Sequence, residues 1–447
     1  MRQRALTSAG EQIDIRVIVD GRSKGLRPSG LLGMSRAGSV VDRDGLELSL
    51  LQLSNPAVLA EPAAFYRSLR EYEPVHWDPY THAWVITGYS DVTTVLTAYS
   101  ADRAPAADYL DRRGLSFFKP FADMMRKQML FMDSPAHGCL RSICAAAFAP
   151  RKVEELRKFI DSTANELIYK SVSSGRIDLI ADFANPLPAI ITAKLLGVPV
   201  EDHLRLSSWV IDLAEVLGNF QHHPSRVSEI LKSLEELKTY VALQIEEKSK
   251  RPDYGLICSL MSAAVDGQRL TREELIANII ITMIGGHETT TNLIASGFLT
   301  LLRNPESFEQ LRDNQSIVNL AVEELLRFES PVQHTARIAP EDLKLGGKLI
   351  KKGSRVVAAL AAANRDPSRF LEPDRLNLLR PDNRHLAFGW AAHFCFGAAL
   401  ARLEAQIAFN VVLRRLQQPV LLDNVLRWRN NAGLRGLTAL NVSFQSS

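Results

Sequence analysis

The chain has 447 residues, of which 46% are hydrophobic and 23% are charged, and these values exclude disorder throughout. Its 53 Lys and Arg residues and 50 Asp and Glu residues leave a net charge of +3, which argues against nucleic acid or an anionic membrane as the main partner. Four cysteines are too few for a disulfide scaffold. No run of about 18 apolar residues predicts a membrane span, and no secretory signal begins the chain. We therefore expect a cytoplasmic location.

The sequence divides into two regions. Residues 1–50 are rich in Gly, Ser and Arg and predict a poorly ordered extension with one alternating patch at 13–19. Residues 51–447 predict a single domain, although the length alone favours two or three. Helical spacing dominates this domain, at residues 61–70, 135–148, 152–171, 188–196, 203–217 and 225–248. Short strands are predicted at 75–77, 83–87, 343–349 and 354–358, so the fold class is mainly α with small β-sheets.

A long helix with an unusual centre is predicted at 271–303. Thr271 and Glu274 match a capping box at its start, and the first half is mostly apolar, which predicts burial on nearly all sides. Gly285 and Gly286 follow, at a cost of about 1 kcal/mol each relative to alanine. Either the two glycines allow close packing, or they open a gap in a core helix.

An acid and an alcohol follow the two glycines. Glu288 is expensive to bury unless it is paired, and the hydroxyl of Thr289 can bond back to a helix carbonyl. A solvated glutamate is the plain interpretation. The functional interpretation is that Glu288 and Thr289 relay protons to a group bound at the gap.

A cysteine lies in a glycine-marked loop at 385–397. Cys395 comes just before a predicted helix, whose N-terminus favours a thiolate. Apolar rings would surround the sulfur, namely those of Phe388, Phe394 and Phe396. A buried, inert cysteine is the plain interpretation of Cys395, and a soft metal ligand is the functional one.

Together these segments resemble the cytochrome P-450 family of haem-thiolate monooxygenases. The resemblance covers roughly residues 55–445 and includes Glu324 and Arg327, at the spacing of the family's Glu-x-x-Arg motif. It implies the cytochrome P-450 fold, with haem between the long central helix and the cysteine loop, and a structural role for Glu324 and Arg327. Two positions depart from the family pattern. Ala391 replaces a loop glycine and disfavours positive φ, so we expect a slightly different loop shape, and Gly285 replaces an alanine and leaves more room.

The resemblance also implies roles for individual residues. Cys395 would be the proximal thiolate ligand of the iron in haem b, a cofactor of the iron protoporphyrin IX type. Glu288 and Thr289 match the acid–alcohol pair that supplies protons for dioxygen activation. His385 is a weaker candidate for binding the haem propionates. The stronger candidates, which would hold the propionates by charge-assisted hydrogen bonds, are His137, Arg141, Arg337 and His393.

The implied reaction places one oxygen atom of O2 in an apolar organic substrate, by hydroxylation or epoxidation, while the other leaves as water. The chain carries no nucleotide-binding glycine motif and no second cysteine cluster, so its electrons must come from another protein. By analogy, the donor would be a ferredoxin or flavodoxin with an NAD(P)H-dependent reductase. Six cations near the thiolate side are either a docking patch for such an acidic partner or solvated surface charge: Arg141, Arg151, Lys152, Arg402, Arg414 and Arg415.

The sequence leaves the substrate open. Segments that would line the family's pocket are 101–130, 203–224, 280–284, 332–335 and 433–438. Segment 101–130 contains five large apolar side chains: Phe117, Phe118, Phe121, Met124 and Met125. Such side chains suit an adaptable apolar pocket, but more commonly they belong to the hydrophobic core. We expect a lipid, terpenoid, steroid or polyketide-like substrate.

Two other readings of the haem protein stay open. One is a peroxide-driven peroxygenase, which needs no redox partner, and the less favoured one is a haem-based sensor. The acid–alcohol pair of Glu288 and Thr289 argues against both. A plain helical scaffold with an inert Cys395 is the least favoured alternative, because all of the motifs would then have to coincide by chance.

Overall fold

The computed structural model describes residues 13–14, 48–112, 114–218, 221–222, 224–264 and 269–446. Most of the predicted extension at 1–50 lies outside the described residues, and the division into an extension and one domain stays a prediction. The α-helices of the described part are α1 (Pro56–Ala60), α2 (Pro62–Tyr72), α3 (Tyr89–Ala98), α4 (Ala107–Arg112), α5 (Lys119–Arg126), α6 (Ala136–Ala147), α7 (Pro150–Glu155), α8 (Arg157–Val172), α9 (Pro186–Leu196), α10 (His203–Gly218), α11 (Pro224–Lys250), α12 (Leu256–Ser262), α13 (Arg272–Arg303), α14 (Pro305–Asp313), α15 (Val318–Phe328), α16 (Leu360–Ala363) and α17 (Ala398–Arg415).

The strands are short and lie in small, separate sheets. They are β1 (Ile13–Asp14), β2 (Val75–Asp78), β3 (Ala83–Ile86), β4 (Arg176–Asp178), β5 (Gln221–His222), β6 (Thr335–Ile338), β7 (Leu343–Leu345), β8 (Lys348–Ile350), β9 (Arg355–Ala358), β10 (Leu416–Leu421) and β11 (Asn441–Ser446). A four-stranded sheet has the order β2-β3-β9-β6, and its β3–β9 pair is parallel. A three-stranded sheet has the order β10-β11-β4, while β7 pairs with β8 and β1 with β5. The predicted class of helices with small sheets is confirmed.

Helix α13 is the centre of the main core. The capping box forms as predicted, because Thr271 Oγ1 accepts a hydrogen bond from the Glu274 N–H at 3.2 Å and Glu274 Oε2 accepts one from the Thr271 N–H at 2.9 Å. The helix then runs without interruption through the two glycines and is buried over most of its length. It packs against α9, α10, α11, α15 and α17.

A close contact brings α17 onto the central helix. A Cβ on Gly297 would lie 2.7 Å from Cζ of Phe409 and 3.3 Å from Cδ1 of Leu325, so only glycine lets α13, α15 and α17 approach this closely. Because α17 begins directly after the cysteine loop, this packing fixes that loop relative to α13.

The Glu-x-x-Arg pair holds the same region from the other side. Glu324 and Arg327 are both 0% exposed, and two hydrogen bonds of 2.8 Å join them. Arg327 Nη1 also donates to the carbonyl oxygen of Asn364 at 2.9 Å, and Asn364 Oδ1 accepts the N–H of Leu386 at 2.6 Å. This chain of contacts reaches the beginning of the cysteine loop, as a structural role for the pair requires.

Most predicted elements exist, with ends displaced by a few residues. The predicted helix at 152–171 is two helices, α7 and α8, and the predicted hairpin at 343–349 turns at Gly346 and Gly347, whose φ angles are +52° and +77°. Helix α3 was not predicted, since its Val and Thr residues favour strands locally, but burial of its apolar face decides for a helix. In the part of the chain that the structure describes, no helix is both long and apolar enough to cross a bilayer.

Candidate active site

Cys395 lies at the beginning of α17, in a loop closed by backbone hydrogen bonds. Its N–H donates to the carbonyl oxygen of Phe388 at 2.8 Å, and the N–H of Phe394 donates to that of Ala391 at 3.1 Å. A Cβ on Gly397 would lie 3.8 Å from the cysteine sulfur, so the start of the helix passes close to Sγ. Cys395 is half-buried, and its sulfur faces backbone N–H groups of the first helical turn.

The charge state of Cys395 depends on opposing influences. Burial raises the pKa of the thiol, and this outweighs the hydrogen bond from the Gly397 N–H and the charges of Arg141 and Arg402, which lower it. The backbone N–H groups at the start of α17 thus favour a thiolate, as expected, but burial of the sulfur opposes them. A coordinated metal cation would supply the missing positive charge. Among the described residues, no group of three or more His, Cys, Asp or Glu side chains could hold a metal ion.

The loop keeps a left-handed conformation at Ala391. The φ angle of this residue is +55°, and that of Gly389 is +72°. Ala391 thus adopts a conformation that suits glycine, at a cost of about 1–2 kcal/mol, and the expected difference in loop shape from the family stays a prediction.

Cationic side chains from separate segments meet beside the loop. The rings of His137 on α6 and His393 stack with their centroids 4.0 Å apart. Burial and the charges of neighbouring His137, Arg337 and Arg103 lower the pKa of His393 to about 3. Burial also lowers the pKa of Arg337 on β6 to about 10. We call Arg103, His137, Arg337 and His393 the cation cluster.

The cation cluster has unused hydrogen-bonding capacity. His137 Nε2 and Arg337 Nε are buried and have no hydrogen-bond partner. Asp133 raises the pKa of both residues, but its Oδ1 already accepts the N–H of Ala101 at 2.8 Å and its Oδ2 accepts the hydroxyl of Ser100. The buried guanidinium of Arg337 has a free donor, and a carboxylate beside it and the His137 ring would supply the missing acceptor. The cluster therefore has the chemistry needed to bind the carboxylates of a ligand placed beside Cys395.

Arg141 occupies a different place from the other predicted propionate ligands. Its Nη2 donates to the carbonyl oxygen of Phe394, and its guanidinium lies 5.5 Å from the ring centroid of Phe396. It is near enough to His137 to lower the pKa of that ring. Arg141 thus joins the cysteine loop to the edge of the cation cluster.

His385 does not belong to this set. Its Nδ1 accepts the N–H of Ala387 at 3.2 Å, so the ring proton is on Nε2, which donates to Glu323 Oε2 at 3.2 Å. Glu323 also receives two hydrogen bonds from Arg402, and these partners lower the pKa of its carboxyl to about 2 against the effect of burial. The suggestion that His385 binds a propionate is wrong, because both of its nitrogens have other partners.

At the predicted position, one face of the continuous helix α13 is accessible to solvent. Gly285 and Thr289, one turn apart, are solvent-accessible in the middle of an otherwise buried helix. A Cβ on Gly285 would meet no atom within 4 Å, whereas a Cβ on Gly286 would lie 3.1 Å from Thr192 Oγ1. Gly286 thus allows close packing against α9, and Gly285 faces open space, while binding of a group there stays a prediction.

The acid and the alcohol point in different directions from the helix. Thr289 lies on the open face, where its hydroxyl donates to the carbonyl oxygen of Gly285 at 2.8 Å. Glu288 is only 2% exposed, and Arg429 Nη1 donates to its two carboxylate oxygens at 2.9 and 3.1 Å. Burial raises the pKa of Glu288, while Arg429 and Asn292 lower it. The structure thus brings Glu288 to a buried ion pair and leaves Thr289 at the opening.

Two of these residues were missed by sequence reasoning. Arg103 lies within a segment predicted to line the pocket, and Arg429 lies near the C-terminus, 141 positions from Glu288. No local pattern marks either residue, because each acts through a partner distant in sequence. The predicted pocket residues Phe118 and Phe121 are each 2% exposed and belong to the main core.

Comparison with known proteins gives consistent matches. A family model described as Cytochrome P450 matches residues 64–425. The "Biotin biosynthesis cytochrome P450" of Bacillus subtilis (strain 168) is 35% identical over 390 residues, which are 87% of this chain and 97% of that protein. The solved structure of P450BioI with a hexadec-9Z-enoic acid ligated acyl carrier protein has a TM-score of 0.80 at 34% identity, covering 87% of this chain and 99% of that one. The myxobacterial cytochrome P450 CYP267B1 in complex with myristic acid also has a TM-score of 0.80, at 36% identity, with 89% and 100% of the two chains covered.

Proposed function

Because the chain belongs to the cytochrome P450 family, whose members are haem-dependent monooxygenases, we propose that it inserts one oxygen atom of O2 into an apolar, acyl-chain or polyketide-like substrate. The observation that carries this proposal is the position of Cys395 at the beginning of α17, close in the chain to His393 of a cluster of basic side chains in which His137 Nε2 and Arg337 Nε are buried without hydrogen-bond partners. A thiol and unpaired cations in one place are the donors that haem b requires: one axial ligand for iron and hydrogen bonds for two propionates.

The chain would hold the cofactor with these two groups. Cys395 would ligate the iron, and the backbone N–H groups of Gly397 and Ala398 would stabilise its negative charge. Arg103, His137, Arg337 and His393 would bind the propionates, which would end the mutual repulsion within the cluster. When bound, haem would supply the redox chemistry with dioxygen.

Protein side chains would manage the protons. The Thr289 hydroxyl lies on the open face of α13 and has a second hydrogen-bonding position besides its bond to the Gly285 carbonyl. Its donated proton can turn from that carbonyl toward a group in the opening. Glu288 is the neighbouring acid: burial raises the pKa of its carboxyl and Arg429 lowers it, so the group can both take up and release a proton. We propose these two residues as the proton-handling pair.

The substrate class is supported by the relatives. One is named for biotin biosynthesis, and two solved structures hold a fatty acid, either free or on an acyl carrier protein. We propose a long acyl chain as the substrate, with hydroxylation or epoxidation as the reaction.

Electrons would come from a separate ferredoxin or flavodoxin and its NAD(P)H-dependent reductase. The suggested docking patch is less basic than its sequence implies. Arg402 pairs with Glu323 at 2.6 Å, Arg151 faces Glu155 at 3.6 Å, and Arg414 faces Asp161 at 4.0 Å. We expect docking at this side of the molecule to depend only weakly on salt, since the cations already have acidic neighbours.

The first experiment is an absorption spectrum of the purified protein, reduced with dithionite and exposed to carbon monoxide. We expect a strongly red-shifted Soret band, which a thiolate ligand produces, and its loss in Cys395→Ser. The matched control is Cys139→Ser, another half-buried cysteine, which should keep the band. A Cys395→Ser protein with an unchanged spectrum would contradict the ligand assignment.

The second experiment measures peroxide released per NAD(P)H consumed, with surrogate redox partners and myristic acid. Thr289→Ala should raise peroxide release several-fold, because the open face loses its hydroxyl. Thr300→Ala is the control, since Thr300 makes the same bond back to a helix carbonyl, at 2.8 Å, in a buried part of α13. Turnover with peroxide alone, undiminished in Thr289→Ala, would favour a peroxygenase instead.

A further inference from the structure

The position of Glu288 is set by a segment that no sequence motif connected with it. Residues 427–438 form a hairpin, here called the C-terminal hairpin, in which Trp428 bridges Leu437 and the Thr438 N–H donates to the Arg427 carbonyl at 2.8 Å. Arg429 of this hairpin makes the ion pair with Glu288. The pair is buried on the acid side, where Glu288 is 2% exposed.

The Arg429 side chain is held in place along its length. Its backbone N–H donates to the carbonyl oxygen of Gly436 at 2.8 Å, and its Nε donates to that of Leu437 at 3.3 Å. Only Nη1 is then directed to the two oxygens of Glu288. A guanidinium fixed at its Nε loses little further freedom when it binds a carboxylate.

The hairpin itself sits directly on α13 beside this pair. A Cβ on Gly436 would lie 1.9 Å from Asn292 Oδ1, so the backbone of the hairpin contacts the side chain one turn after Glu288. Asn292 Nδ2 lies 3.4 Å from Glu288 Oε1 and adds a second, weaker donor. The acid is therefore enclosed by its own helix and by the hairpin.

The same hairpin is attached to α10. Asn431 Nδ2 donates to the carbonyl oxygen of Ala214 at 3.1 Å, and a Cβ on Gly433 would lie 2.6 Å from the Cα of Gly218. The hairpin thus lies between the end of α10 and the middle of α13. Its backbone cannot shift at Arg429 without disturbing one of these contacts.

We propose that Arg429 is a positioning residue for Glu288: it fixes the carboxylate in one place and keeps it ionised in an otherwise apolar environment. This inference rests on the proposed proton-handling function of Glu288. Without Arg429, a buried carboxylate would have only an amide as donor, so it would take up a proton and lose its orientation. The Arg429 guanidinium bonds to Leu437 and Glu288, and it would act through Glu288.

Infrared spectroscopy of the haem-loaded, full-length protein tests the charge state directly. The carbonyl stretch of a protonated carboxyl group should be stronger in Arg429→Gln than in the parent protein near neutral pH. This added band should be absent from the double variant Glu288→Gln, Arg429→Gln, which assigns it to Glu288. Burial also holds the pKa of Glu404 well above its ordinary value, so Glu404 contributes equally to all spectra and cancels in the differences.

Two further variants separate positioning from general damage to the hairpin. Arg429→Lys keeps the charge and should show little or none of the added band. Arg435→Gln removes another ion pair of the same hairpin, that of Arg435 with Glu329, and should leave the Glu288 band unchanged. The proposal fails if Arg429→Gln shows no added band, or if Arg435→Gln shows the same band.

Turnover gives the second readout. With myristic acid and surrogate redox partners, Arg429→Gln should release several-fold more peroxide per NAD(P)H with KM changed less than twofold, and Arg429→Lys should restore at least half of the coupling. A rise in KM alone would overturn the positioning role. A parent protein without the red-shifted Soret band would refute the proposed function instead, and the infrared result would still decide the state of Glu288.

Discussion

Two buried charge clusters of this protein differ in how they are balanced. Around Glu324, the carboxylate faces Arg327 at 2.8 Å and Arg380 at 3.0 Å, and it also accepts the backbone N–H of Asn377 at 2.9 Å. In the cation cluster, by contrast, His137 Nε2 and Arg337 Nε are buried without a hydrogen-bond partner. The carboxylate of the first cluster is fully bonded within the chain, whereas the second keeps two buried nitrogens available for an external acceptor.

This difference separates a structural from a ligand-binding role on physical grounds. Burying a charged group costs several kcal/mol unless partners compensate it, so the unbonded Arg337 Nε lowers stability in the absence of a ligand. The Glu324 cluster links α15 to the segment before the cysteine loop, whereas the cation cluster lies beside that loop. Four predictions test the contrast, in order of decreasing effect.

Breaking the complete cluster should destabilise the protein most. Glu324→Gln leaves Arg327 and Arg380 buried without a counter-charge, and we expect the free energy of unfolding to fall by about 3–5 kcal/mol. Urea unfolding of the haem-loaded protein measures this. The exposed pair of Arg303 and Glu61 provides the control, because Arg303→Gln should cost less than about 1 kcal/mol. Equal losses in the two variants would contradict the distinction between buried and exposed pairs.

Breaking the incomplete cluster should weaken cofactor retention more than folding. Arg337→Gln removes a buried donor for a carboxylate, a bond worth about 1.5–3 kcal/mol, so haem transfer to an acceptor protein should be about 10–100 times faster. The free energy of unfolding should fall less than in Glu324→Gln. Arg369→Gln, which breaks a surface pair with Asp382, should leave haem transfer unchanged. A normal transfer rate in Arg337→Gln would argue against propionate binding there.

His287 is a buried base outside both clusters, and its pKa illustrates the effect of burial without an acidic partner. Burial lowers the pKa of His287 to about 4, and its Nδ1 has no hydrogen-bond partner. The unfolded chain protonates His287 below about pH 6.5, whereas the native state does so only near pH 4. The contribution of His287 to the free energy of unfolding is therefore complete above about pH 6.5 and is lost as the pH falls toward 4.

The loss from His287 should be up to about 1.4 kcal/mol per pH unit in this window. Unfolding of parent and His287→Gln protein at a series of pH values measures it, and the variant should have the smaller acid dependence. The exposed His82 provides the control, since His82→Asn should keep the slope of the parent. Parallel slopes for His287→Gln and the parent would mean that His287 is protonated in the native state.

The smallest effect is expected at the turn that carries His393 into the cation cluster. Ala391→Gly should stabilise the protein by about 1 kcal/mol, because glycine adopts a φ of +55° without strain. The larger backbone entropy of glycine in the unfolded chain offsets only part of this gain. Thermal unfolding measures this change. Gly389→Ala, at a φ of +72°, is the reverse experiment and should destabilise. A destabilising Ala391→Gly would show that the methyl group packs favourably.

The sequence alone determined the features that depend on neighbours along the chain. The capping box of α13, the two central glycines, the Glu-x-x-Arg spacing and the position of Cys395 before a helix all follow from short patterns. Hydrophobic periodicity located most helices for the same reason, since it reports which face of a segment is buried. The resemblance carried by these motifs was sufficient for the fold and the family.

Only the tertiary structure decided the partners of the charged groups. It directed Glu288 to Arg429, removed His385 from the propionate candidates by pairing it with Glu323, and added Arg103 to the cation cluster. It also gave different roles to Gly285 and Gly286, which are indistinguishable in sequence. The physical reason is that burial and long-range pairing set the free energy of a charge, and neither can be computed from residues that are adjacent in the chain.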